Sequence, residues 1–537
     1  MEQTLTSQVA REVQRRRTFA IISHPDAGKT TLTEKLLLYA GAVRLAGSVR
    51  TRKGQRHATS DWMEMEQERG ISITSAVMQF DYRDYHINLL DTPGHQDFSE
   101  DTYRVLTAVD NAVMVIDSAN GVESQTRKLF EVCQRRRTPV FTLINKVDRP
   151  GKEPLELLGE IEDVLGIATV PMNWPVRSML GAVVGIYDLQ QRQVHLFERA
   201  EHGSQRAPVQ VTDLHDPVLA ELLEPQALAQ LRDEVELLEA AGDALDRDRV
   251  QSGELTPVYF ASALLNFGVQ LFLDSFLDLA VGPVARKAQQ GLVRPEHPHF
   301  SGFVFKLQAN MDRRHRDRLA FVRVCSGRFE RDMVVNHVRT GKKLRLTRSL
   351  KLFAQERESV DEAYPGDIVG LINPGMLAIG DTLCSSERVE FDEIPRFPPE
   401  HFATLSLPET DQRKALAKGL DQLCEEGLVQ VFYPVGDVMR QPILAAVGPL
   451  QFDVLTDRLE NEYNVQARVE RLPYEHARWL EGTAAAIAAM RCPPGCARVL
   501  DPEERPVLLL PDDWSVRYTT EKNPEVTLHR MPPKAND

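Results

Sequence analysis

The stretch TFAIISHPDAGKTT, residues 18–31, decides how the N-terminal part of this chain folds. Its short apolar run, which contains β-branched residues, leads into a loop, and a helical pattern follows that loop. Gly28, Lys29 and Thr30 stand at the spacing of the phosphate-binding pattern G-x-x-x-x-G-K-[ST], although Ser23 replaces its first glycine. The order of strand, loop and helix therefore predicts a turn that holds phosphate. The alternative at this point is a serine-containing turn before an ordinary helix.

Apolar runs of this kind alternate with helical patterns through the first ~280 residues. The runs are TFAII (18–22), INLLD (87–91), NAVMVID (111–117), PVFTLIN (139–145) and PVYFASA (257–263). Buried strands that alternate with helices are typical of a parallel sheet covered by helices on both faces. Because ligands bind at the carboxyl edge of such a sheet, we expect functional residues to follow the strand ends.

Three further motifs stand at these strand ends. Asp91-Thr92-Pro93-Gly94-His95 offers an aspartate for a Mg²⁺ shell and a glycine N–H for a γ-phosphate. Asn145-Lys146-Val147-Asp148 offers a carboxylate that can accept from N1–H and the 2-amino group of guanine, which adenine lacks. The backbone amides of Ser262-Ala263-Leu264 can reach guanine O6. Four motifs in this order predict a site for GTP and GDP with Mg²⁺.

The phosphate loop has a physical role for each of its key residues. Gly28 lets the backbone approach phosphate oxygens, and the start of the helix adds free N–H groups and a favourable dipole. Lys29 can reach the β- and γ-phosphates, and the Thr30 hydroxyl can ligate Mg²⁺. The predicted nucleotide-binding residues are Ser23, His24, Pro25, Asp26, Ala27, Gly28, Lys29, Thr30, Asp91, Thr92, Pro93, Gly94, His95, Asn145, Lys146, Val147, Asp148, Ser262, Ala263 and Leu264.

At these residues the chain resembles the translational GTPases. DTPGH (91–95) is similar to their signature, and Glu68-Arg69-Gly70-Ile71-Ser72-Ile73-Thr74 is similar to their first switch region. The resemblance implies that His95 is catalytic and positions the attacking water once the ribosome has docked; the alternative is a solvated loop histidine. It also implies that Thr30, Ser72 and Asp91 surround Mg²⁺. The family usually has threonine where this chain has Ser72, whose hydroxyl can serve the same purpose, and Thr74 is the alternative ligand.

Finer matches point to one branch of that family. SHPDAGKTT (23–31), NGVESQTRKLFEVC (120–133) and AVGPLQFDVLTDRLENEYNV (446–465) resemble the class-II peptide release factors, and the resemblance spans nearly the whole chain. It implies a ribosome-dependent GTPase of translation termination. Such a protein promotes dissociation of class-I release factors from the 70S ribosome after peptide release and recycles them without codon specificity. The chain contains no Gly-Gly-Gln tripeptide, so we expect no peptidyl-tRNA hydrolysis of its own.

The predicted architecture has three parts. An α/β P-loop GTPase domain at about residues 1–285 is followed by a β-barrel domain at about 290–392 and an α/β C-terminal domain with a tail at about 396–537. A surplus of chain at about 180–255 resembles an insertion of related factors, and its acidic helical part is either a docking face for a protein or a solvated helix. The basic segments Arg313–Arg318 and Arg339–Lys351 either contact ribosomal RNA phosphates or form a solvated strand face.

Composition limits the function classes. The net charge of −14 argues against a generic nucleic-acid coat, and no run of 18 apolar residues is available to cross a membrane. The N-terminus MEQTLTSQVAREVQRRR lacks the apolar core of a signal peptide. We therefore expect a cytoplasmic monomer that binds neither membrane nor DNA. The six cysteines are expected to be reduced, and Cys492 and Cys496 lack the neighbouring ligands that a zinc site needs.

Two other functions stay open. Another ribosomal GTPase, such as a translocase-like or tetracycline-protection factor, is disfavoured because only about 140 residues follow the barrel, too few for a domain that enters the decoding site. A non-catalytic, GTP-dependent scaffold is the other. The scaffold hypothesis predicts that His95→Ala leaves function intact. The ribosomal GTPase hypothesis predicts that this variant loses stimulated hydrolysis and retains GTP binding.

Overall fold

The computed structural model describes most of the chain. The described residues are 2–41, 65–66, 72–179, 181–197, 209–241, 243–309, 318–353, 356–373, 375–386, 388–392, 394, 396–407, 412–435 and 441–533. The first four residues of the predicted first switch, Glu68–Ile71, lie outside them, as does the basic stretch 313–317. None of the helices in the described part combines the length and apolar character that crossing a bilayer requires.

The N-terminal domain is built on a large sheet. The strands of this domain and of its insertion are β1 (Arg16–Ser23), β2 (Ala76–Tyr82), β3 (Tyr85–Asp91), β4 (Asn111–Asp117), β5 (Val140–Asn145), β6 (Ala168–Pro171), β7 (Asn173–Arg177), β8 (Val183–Asp188), β9 (Gln193–Phe197), β10 (Val209–Thr212) and β11 (Leu255–Phe260). The strand order in the large sheet is β2-β3-β1-β4-β5-β11-β6. The five predicted strands are confirmed, and their pairs are parallel. The structure adds β2, which pairs with β3 in the antiparallel sense and was not predicted.

Helices cover both faces of this sheet, as predicted. The helices of this domain are Glu2–Arg15, Lys29–Ala40, Ser99–Ala108, Ser124–Arg136, Pro154–Leu165, Pro217–Leu222, Pro225–Ala241, Arg247–Ser252 and Val269–Leu279, with a 3-10 helix at Gln96–Phe98. Alternate residues of β1 enter two different apolar layers. Phe19 and Ile21 pack with the layer that holds Leu36 and Phe276, whereas Ala20 and Ile22 pack with the opposite layer. This alternation follows from the period of two in a strand.

The surplus segment contains a small sheet of its own. Strands β7 to β10 form an antiparallel sheet in sequence order, and the helices Pro217–Leu222 and Pro225–Ala241 follow it. The helical prediction for this segment is therefore confirmed. The sheet was not predicted, because its strands are short and carry polar residues such as Gln193 and Gln210.

The second domain is an antiparallel β-domain. Its strands are β12 (Arg286–Ala288), β13 (Gly291–Val293), β14 (Ser301–Ala309), β15 (Arg318–Ser326), β16 (Phe329–Glu330), β17 (Val334–His337), β18 (Lys342–Arg345), β19 (Ser349–Phe353), β20 (Glu356–Ser359), β21 (Glu362–Ala363), β22 (Ile368–Ile372) and β23 (Thr382–Cys384). Val304, Val322, Val335 and Leu383 belong to one buried core. Strand β19 also pairs with β2 at Met78, so that a single sheet runs from one domain into the next.

The C-terminal domain has an eight-stranded sheet with helices, which confirms the predicted mixture of the two. Its strands are β24 (His401–Ser406), β25 (Gln430–Pro434), β26 (Ile443–Ala446), β27 (Arg468–Leu472), β28 (His476–Glu481), β29 (Ala497–Leu500), β30 (Pro506–Leu510) and β31 (Thr527–His529). Its helices are Arg413–Glu425, Leu450–Tyr463, Ala484–Ala489 and Asp513–Lys522.

A buried ionic group joins the first two domains. The carboxylate of Asp110 accepts hydrogen bonds from Arg323 of β15 and, at 3.0 Å, from Arg286. Arg323 is 1% exposed and also donates to the carbonyl oxygen of Gly366 at 2.6 Å. On the same interface Arg16 donates to Asp367 at 2.9 Å. Buried charges of this kind must be paired, so they specify how the two domains fit together.

A second polar junction involves all three domains. Lys306 of β14 is buried and donates at 2.7 Å to both the carbonyl and the hydroxyl of Ser75, and its Nζ lies 3.6 Å from Asp101. Glu426 accepts from the Ala309 N–H at 2.6 Å and from Arg458 of the C-terminal domain. A cavity of about 50 Å³ lies at this meeting point. The three domains thus contact one another where the chain leaves the first switch.

Charges at the three-domain junction shift one another's protonation equilibria. Burial alone would raise the pKa of Asp101, but the charges of Lys306 and Arg104 hold it below its ordinary value. Burial lowers the pKa of Lys306 despite the opposing effect of Asp101. The pKa of each of these two groups therefore depends on the charge of its partner in the other domain.

We expect Asp110→Ala to lower the free energy of unfolding by about 3–5 kcal/mol, because it leaves buried arginines without their carboxylate. Urea denaturation followed by tryptophan fluorescence measures the change. Glu131→Ala is the matched control, since Glu131 and Arg135 form an exposed pair at 3.7 Å. Losing such a pair costs less than about 1 kcal/mol. Equal changes for the two variants would show that the buried group does not stabilise the fold.

Candidate nucleotide site

The phosphate loop leaves β1 at Ser23 and enters the helix Lys29–Ala40 through Gly28. Gly28 has a φ of 98°, a left-handed conformation that side chains with a Cβ rarely adopt. A Cβ at this position would stand 2.2 Å from Nδ2 of Asn145. Glycine is therefore required for two independent reasons, and the loop brings its backbone to the carboxyl edge of the sheet as predicted.

Four predicted residues meet at the start of this helix. Lys29 Nζ donates to Asp91 Oδ1 at 2.7 Å and to the hydroxyl of Ser72 at 3.4 Å. The hydroxyl oxygens of Thr30 and Ser72 lie 3.5 Å apart. Lys29 and Asp91 are buried, so their ion pair is shielded from water. The structure thus gathers the lysine and the three candidate Mg²⁺ ligands in one place.

The second oxygen of Asp91 shows that this cluster suits a cation. Asp91 Oδ2 is buried and has no hydrogen-bond partner in the described part of the chain. A buried carboxylate oxygen without a partner costs free energy unless a ligand satisfies it. Hydroxyl and carboxylate oxygens are the donors that Mg²⁺ prefers, usually with several waters and phosphate oxygens. The donor set therefore fits Mg²⁺. Within the described ranges, no group of three or more His, Cys, Asp and Glu side chains could hold a metal ion by itself.

Thr74, the alternative ligand, has a different environment. Its backbone N–H and hydroxyl lie 3.0 Å and 3.4 Å from Glu66 Oε1, which also accepts from the Ile73 N–H at 2.9 Å. The carboxylate of Glu66 thereby fixes the residues that follow Ser72. Sequence reasoning missed Glu66, because its contact with Ile73, seven residues further on, forms only when the chain folds back on itself.

Asn145 connects the phosphate side of the site to the base side. Its Nδ2 donates to the Ala27 carbonyl at 2.9 Å, and its Oδ1 accepts from the Ala263 N–H at 2.9 Å. Lys146 has a φ of 66° and donates to the Asp26 carbonyl at 2.6 Å and to Asp117 at 2.7 Å. Sequence reasoning missed Asp117, although it ends β4 at the same edge, where the strand-end rule could have found it.

The remaining base-side residues lie beside Asn145. Val147 is buried and its N–H donates to the Ala261 carbonyl at 3.3 Å. The side chain of Asp148 is 14% exposed and lies 4.0 Å from Arg149 Nε. The N–H groups of Ser262 and Ala263 donate inside the protein, to the Phe267 carbonyl and to Asn145. Leu264 is 37% exposed.

The Asp91–His95 segment passes directly over the phosphate loop. Thr92 donates to the Ile21 carbonyl at 2.6 Å, and a Cβ on Gly94 would stand 3.4 Å from Pro25 Cα. Pro93 accepts from Thr102. His95 caps the 3-10 helix Gln96–Phe98, and its side chain remains 30% exposed. Its Nδ1 lies 3.3 Å from the Asp97 backbone nitrogen and 3.2 Å from Asp97 Oδ1. His95 is thus held near the phosphate loop with part of its ring open to solvent.

Comparison with known proteins divides the chain into three familiar parts. Residues 14–281 match the family Elongation factor Tu GTP binding domain, residues 299–386 match Elongation factor G domain 2, and residues 391–520 match Class II release factor RF3, C-terminal domain. A crystal structure of a protein from Thermus thermophilus superimposes with a TM-score of 0.70 at 22% identity. That likeness covers 88% of this chain and 71% of the other, and it shows the fold.

The fold, the site and these matches define a translational GTPase. Three proteins named "Peptide chain release factor 3" are similar over their whole length. The relative from Gloeobacter violaceus is 57% identical over 528 residues, which are 98% of this chain and 99% of that one. The relative from a Cyanothece species is 55% identical, covering 99% and 98% of the two chains, and the one from Acaryochloris marina is 54% identical, covering 100% and 99%. The chain belongs to the peptide chain release factor 3 family.

We expect Gly28→Ala to weaken binding of fluorescent GDP by more than about tenfold, because strain and collision with Asn145 together exceed about 1.4 kcal/mol. Gly159→Ala is the control. Gly159 lies in the helix Pro154–Leu165, and a Cβ there would have no neighbour within 4 Å. Equal affinities for wild type and Gly28→Ala would contradict this account of the loop.

Proposed function

We propose that this site binds GTP and GDP with Mg²⁺ and hydrolyses GTP on the ribosome. The proposal assigns the phosphates to residues 23–30 and the guanine base to residues 145–148 and 262–264. It assigns Mg²⁺ to the hydroxyls of Thr30 and Ser72 and to the carboxylate of Asp91. When bound, Mg²⁺ supplies charge neutralisation on the phosphate oxygens. The single observation that carries the proposal is the meeting of Lys29, Asp91 and two hydroxyls in a chain of this family.

Each part of the protein has a separate task in this proposal. Lys29 is buried beside Asp91 and can turn its ammonium group from that carboxylate to phosphate oxygens. The first N–H groups of the helix Lys29–Ala40 have no acceptor inside the helix, and they suit an anion. Asp148 accepts from guanine, and its carboxylate would stay unpaired with adenine, which excludes ATP by roughly 10⁴-fold or more. For the amides of residues 262–264, the internal hydrogen bonds of Ser262 and Ala263 favour Leu264 as the donor to the base.

His95 orients the attacking water in the proposed reaction. Phosphoryl transfer needs positioning and electrostatic stabilisation more than covalent help, so a partly exposed imidazole beside the phosphate loop is sufficient. The ring stays accessible from outside, where the ribosome would act on it. His95 would then be fully aligned only in the bound state, which explains a dependence on the ribosome.

Membership of the family supports a proposal for the cellular task. We propose that the GTP-bound protein binds the 70S ribosome after peptide release and promotes dissociation of class-I release factors without reading codons and without hydrolysing peptidyl-tRNA itself. GTP hydrolysis then lets it leave. The proposal includes a monomer in the cytoplasm and domain limits of about residues 1–285, 290–392 and 396–537. The helices of the insertion at about 180–255 and the basic segments of the β-domain remain candidate contact surfaces.

His95→Ala is expected to lower ribosome-stimulated GTP hydrolysis at least about 100-fold, because the water loses its positioning group. GDP affinity is expected to stay within about twofold of wild type, since the imidazole is proposed to act at the γ-phosphate, which GDP lacks. Phosphate release at saturating ribosome concentration measures the first quantity and fluorescent GDP binding the second. His215→Ala, in an exposed position of the insertion, is the control.

Two results would overturn parts of this proposal. If ribosomes do not stimulate GTP hydrolysis by the wild-type protein, the proposed enzymatic role is wrong. Unchanged hydrolysis by His95→Ala would keep the enzyme and discard His95 as its catalytic residue.

The cellular task has its own measurement, the dissociation rate of a labelled class-I release factor from post-termination ribosomes. We expect this protein with GTP to accelerate dissociation at least about tenfold, which corresponds to a barrier lower by about 1.4 kcal/mol. The same protein with GDP alone is the control. Stimulated GTP hydrolysis without accelerated dissociation would retain a translational GTPase and exclude this role in termination.

A further inference from the structure

The carboxylate of Asp97 lies between the candidate catalytic histidine and the C-terminal domain. Asp97 Oδ1 is 3.2 Å from Nδ1 of His95, whereas Asp97 Oδ2 accepts from the backbone N–H of Leu450 at 2.7 Å. Leu450 begins the helix Leu450–Tyr463 of the C-terminal domain. Asp97 is only 2% exposed, so both contacts are shielded from water. One carboxylate therefore connects two residues that are more than 350 positions apart.

The surroundings of Asp97 leave it little freedom. A Cβ on Gly448 would stand 2.2 Å from Asp97 Cγ and 2.6 Å from Asp97 Oδ1. Gly448 does not have a positive φ, so space alone, and not backbone conformation, calls for glycine. The N–H of Gly448 donates to Gln451 Oε1 at 3.0 Å, which holds this turn against its own helix. The C-terminal domain thus presents a fixed surface to the carboxylate.

An apolar cluster surrounds the same contact. Ile73 and Phe98 of the N-terminal domain pack with Val454 of the helix Leu450–Tyr463, and Leu428 and Leu450 pack against them. Ile73 directly follows Ser72, and Phe98 directly follows Asp97. The docked position of the C-terminal domain is therefore set by apolar burial next to the first switch and next to the Asp91–His95 segment.

The hydrogen bonding of His95 makes the orientation of its imidazole depend on Asp97. Nδ1 of His95 accepts from the Asp97 backbone N–H at 3.3 Å, and Asp97 Oδ1 lies 3.2 Å from the same ring nitrogen. The residue that is bonded to the C-terminal domain through its Oδ2 is therefore also the residue that holds the imidazole. A displacement of Asp97 changes both contacts to the ring.

We propose that Asp97 is a positioning residue for His95, and that the C-terminal domain controls it through the Leu450 N–H and the close approach of Gly448. The inference rests on the hydrolytic role proposed for His95. Docking of the C-terminal domain holds the carboxylate beside Nδ1 and fixes the orientation of the ring. Separation of that domain from the 3-10 helix Gln96–Phe98 removes one hydrogen bond from Asp97 and releases the ring. The rate of GTP hydrolysis thereby depends on where the C-terminal domain sits.

Gly448→Ala tests this without changing a residue of the N-terminal domain. The added methyl group collides with Asp97 and displaces the carboxylate from His95 Nδ1. We expect the maximal rate of ribosome-stimulated hydrolysis to fall on the order of 100-fold, as for other misplacements of about 1 Å. The KM for ribosomes and the affinity for fluorescent GDP are expected to stay within about twofold, since the collision acts on the buried Asp97 and on no residue assigned to the nucleotide.

Gly419→Ala is the matched control. Its added Cβ also crowds the C-terminal domain, at 2.8 Å from Leu459 and 3.0 Å from Tyr463, but it does not reach Asp97. We expect its maximal rate to stay near that of wild type. Equal losses in the two glycine variants would mean that any disturbance of the domain slows hydrolysis, and the proposal would be wrong.

A double-mutant cycle separates the proposed path from a folding defect. Asp97→Ala removes the group that Gly448→Ala would strike, so the double variant is expected to be no slower than Asp97→Ala alone. Asp97→Asn keeps an acceptor for the Leu450 N–H and is expected to recover part of the rate. Additive losses in the double variant, or a wild-type rate in Asp97→Ala, would overturn the inference. Absence of ribosome stimulation in wild type would instead overturn the proposed function.

Discussion

The side-chain amide of Asn145 is the contact on which the site depends. It is 2% exposed and ties the Ala27 carbonyl of the phosphate loop to the Ala263 N–H on the base side. Both tied segments follow parallel strands, so the amide holds two loops that are far apart in sequence at one sheet edge. Gly28 is confined by the same amide. A buried amide satisfied at both ends is rigid, and this rigidity preorganises the loop that is proposed to receive phosphate.

Around this site, charged groups determine how the domains meet. Asp110 and Lys306 are buried, the side chain of Glu426 is 10% exposed, and each of the three bonds to a residue of another domain. Buried ion pairs contribute little net stability compared with apolar packing, but an unpaired buried charge is strongly unfavourable. Arrangements in which these groups lose their partners are therefore excluded. Two contacts between domains lie next to segments of the site. Lys306 donates to Ser75, which directly follows the first switch, and the Leu450 N–H donates to Asp97, which lies two residues after His95.

The sequence predicted the local part of the site and missed its supports. Lys29, Asp91 and Asn145 stand in motifs that each follow a strand end, so their placement at one edge of the sheet could be anticipated. Glu66, Asp97 and Lys306 act across contacts that only the folded chain creates, and a single strand pattern does not distinguish a buried lysine such as Lys306 from an exposed one. Strand β2 was missed for a related reason, because its antiparallel place at the edge follows from the tight turn at Arg83 and not from the βα alternation.

The pairing of β2 with β19 has a consequence for the chain outside its folded context. An exposed edge strand offers unpaired N–H and C=O groups to any other extended chain, and natural proteins cover or interrupt such edges. Here β2 is largely apolar, and residues of the β-domain cover it. Phe353 pairs with Met78, the Ile368 carbonyl accepts from the Gln79 side chain, and Lys306 donates to Ser75 just before the strand. The second domain therefore also protects the first from self-association. An N-terminal domain produced alone, or newly made before the rest of the chain has folded, would carry an adhesive edge.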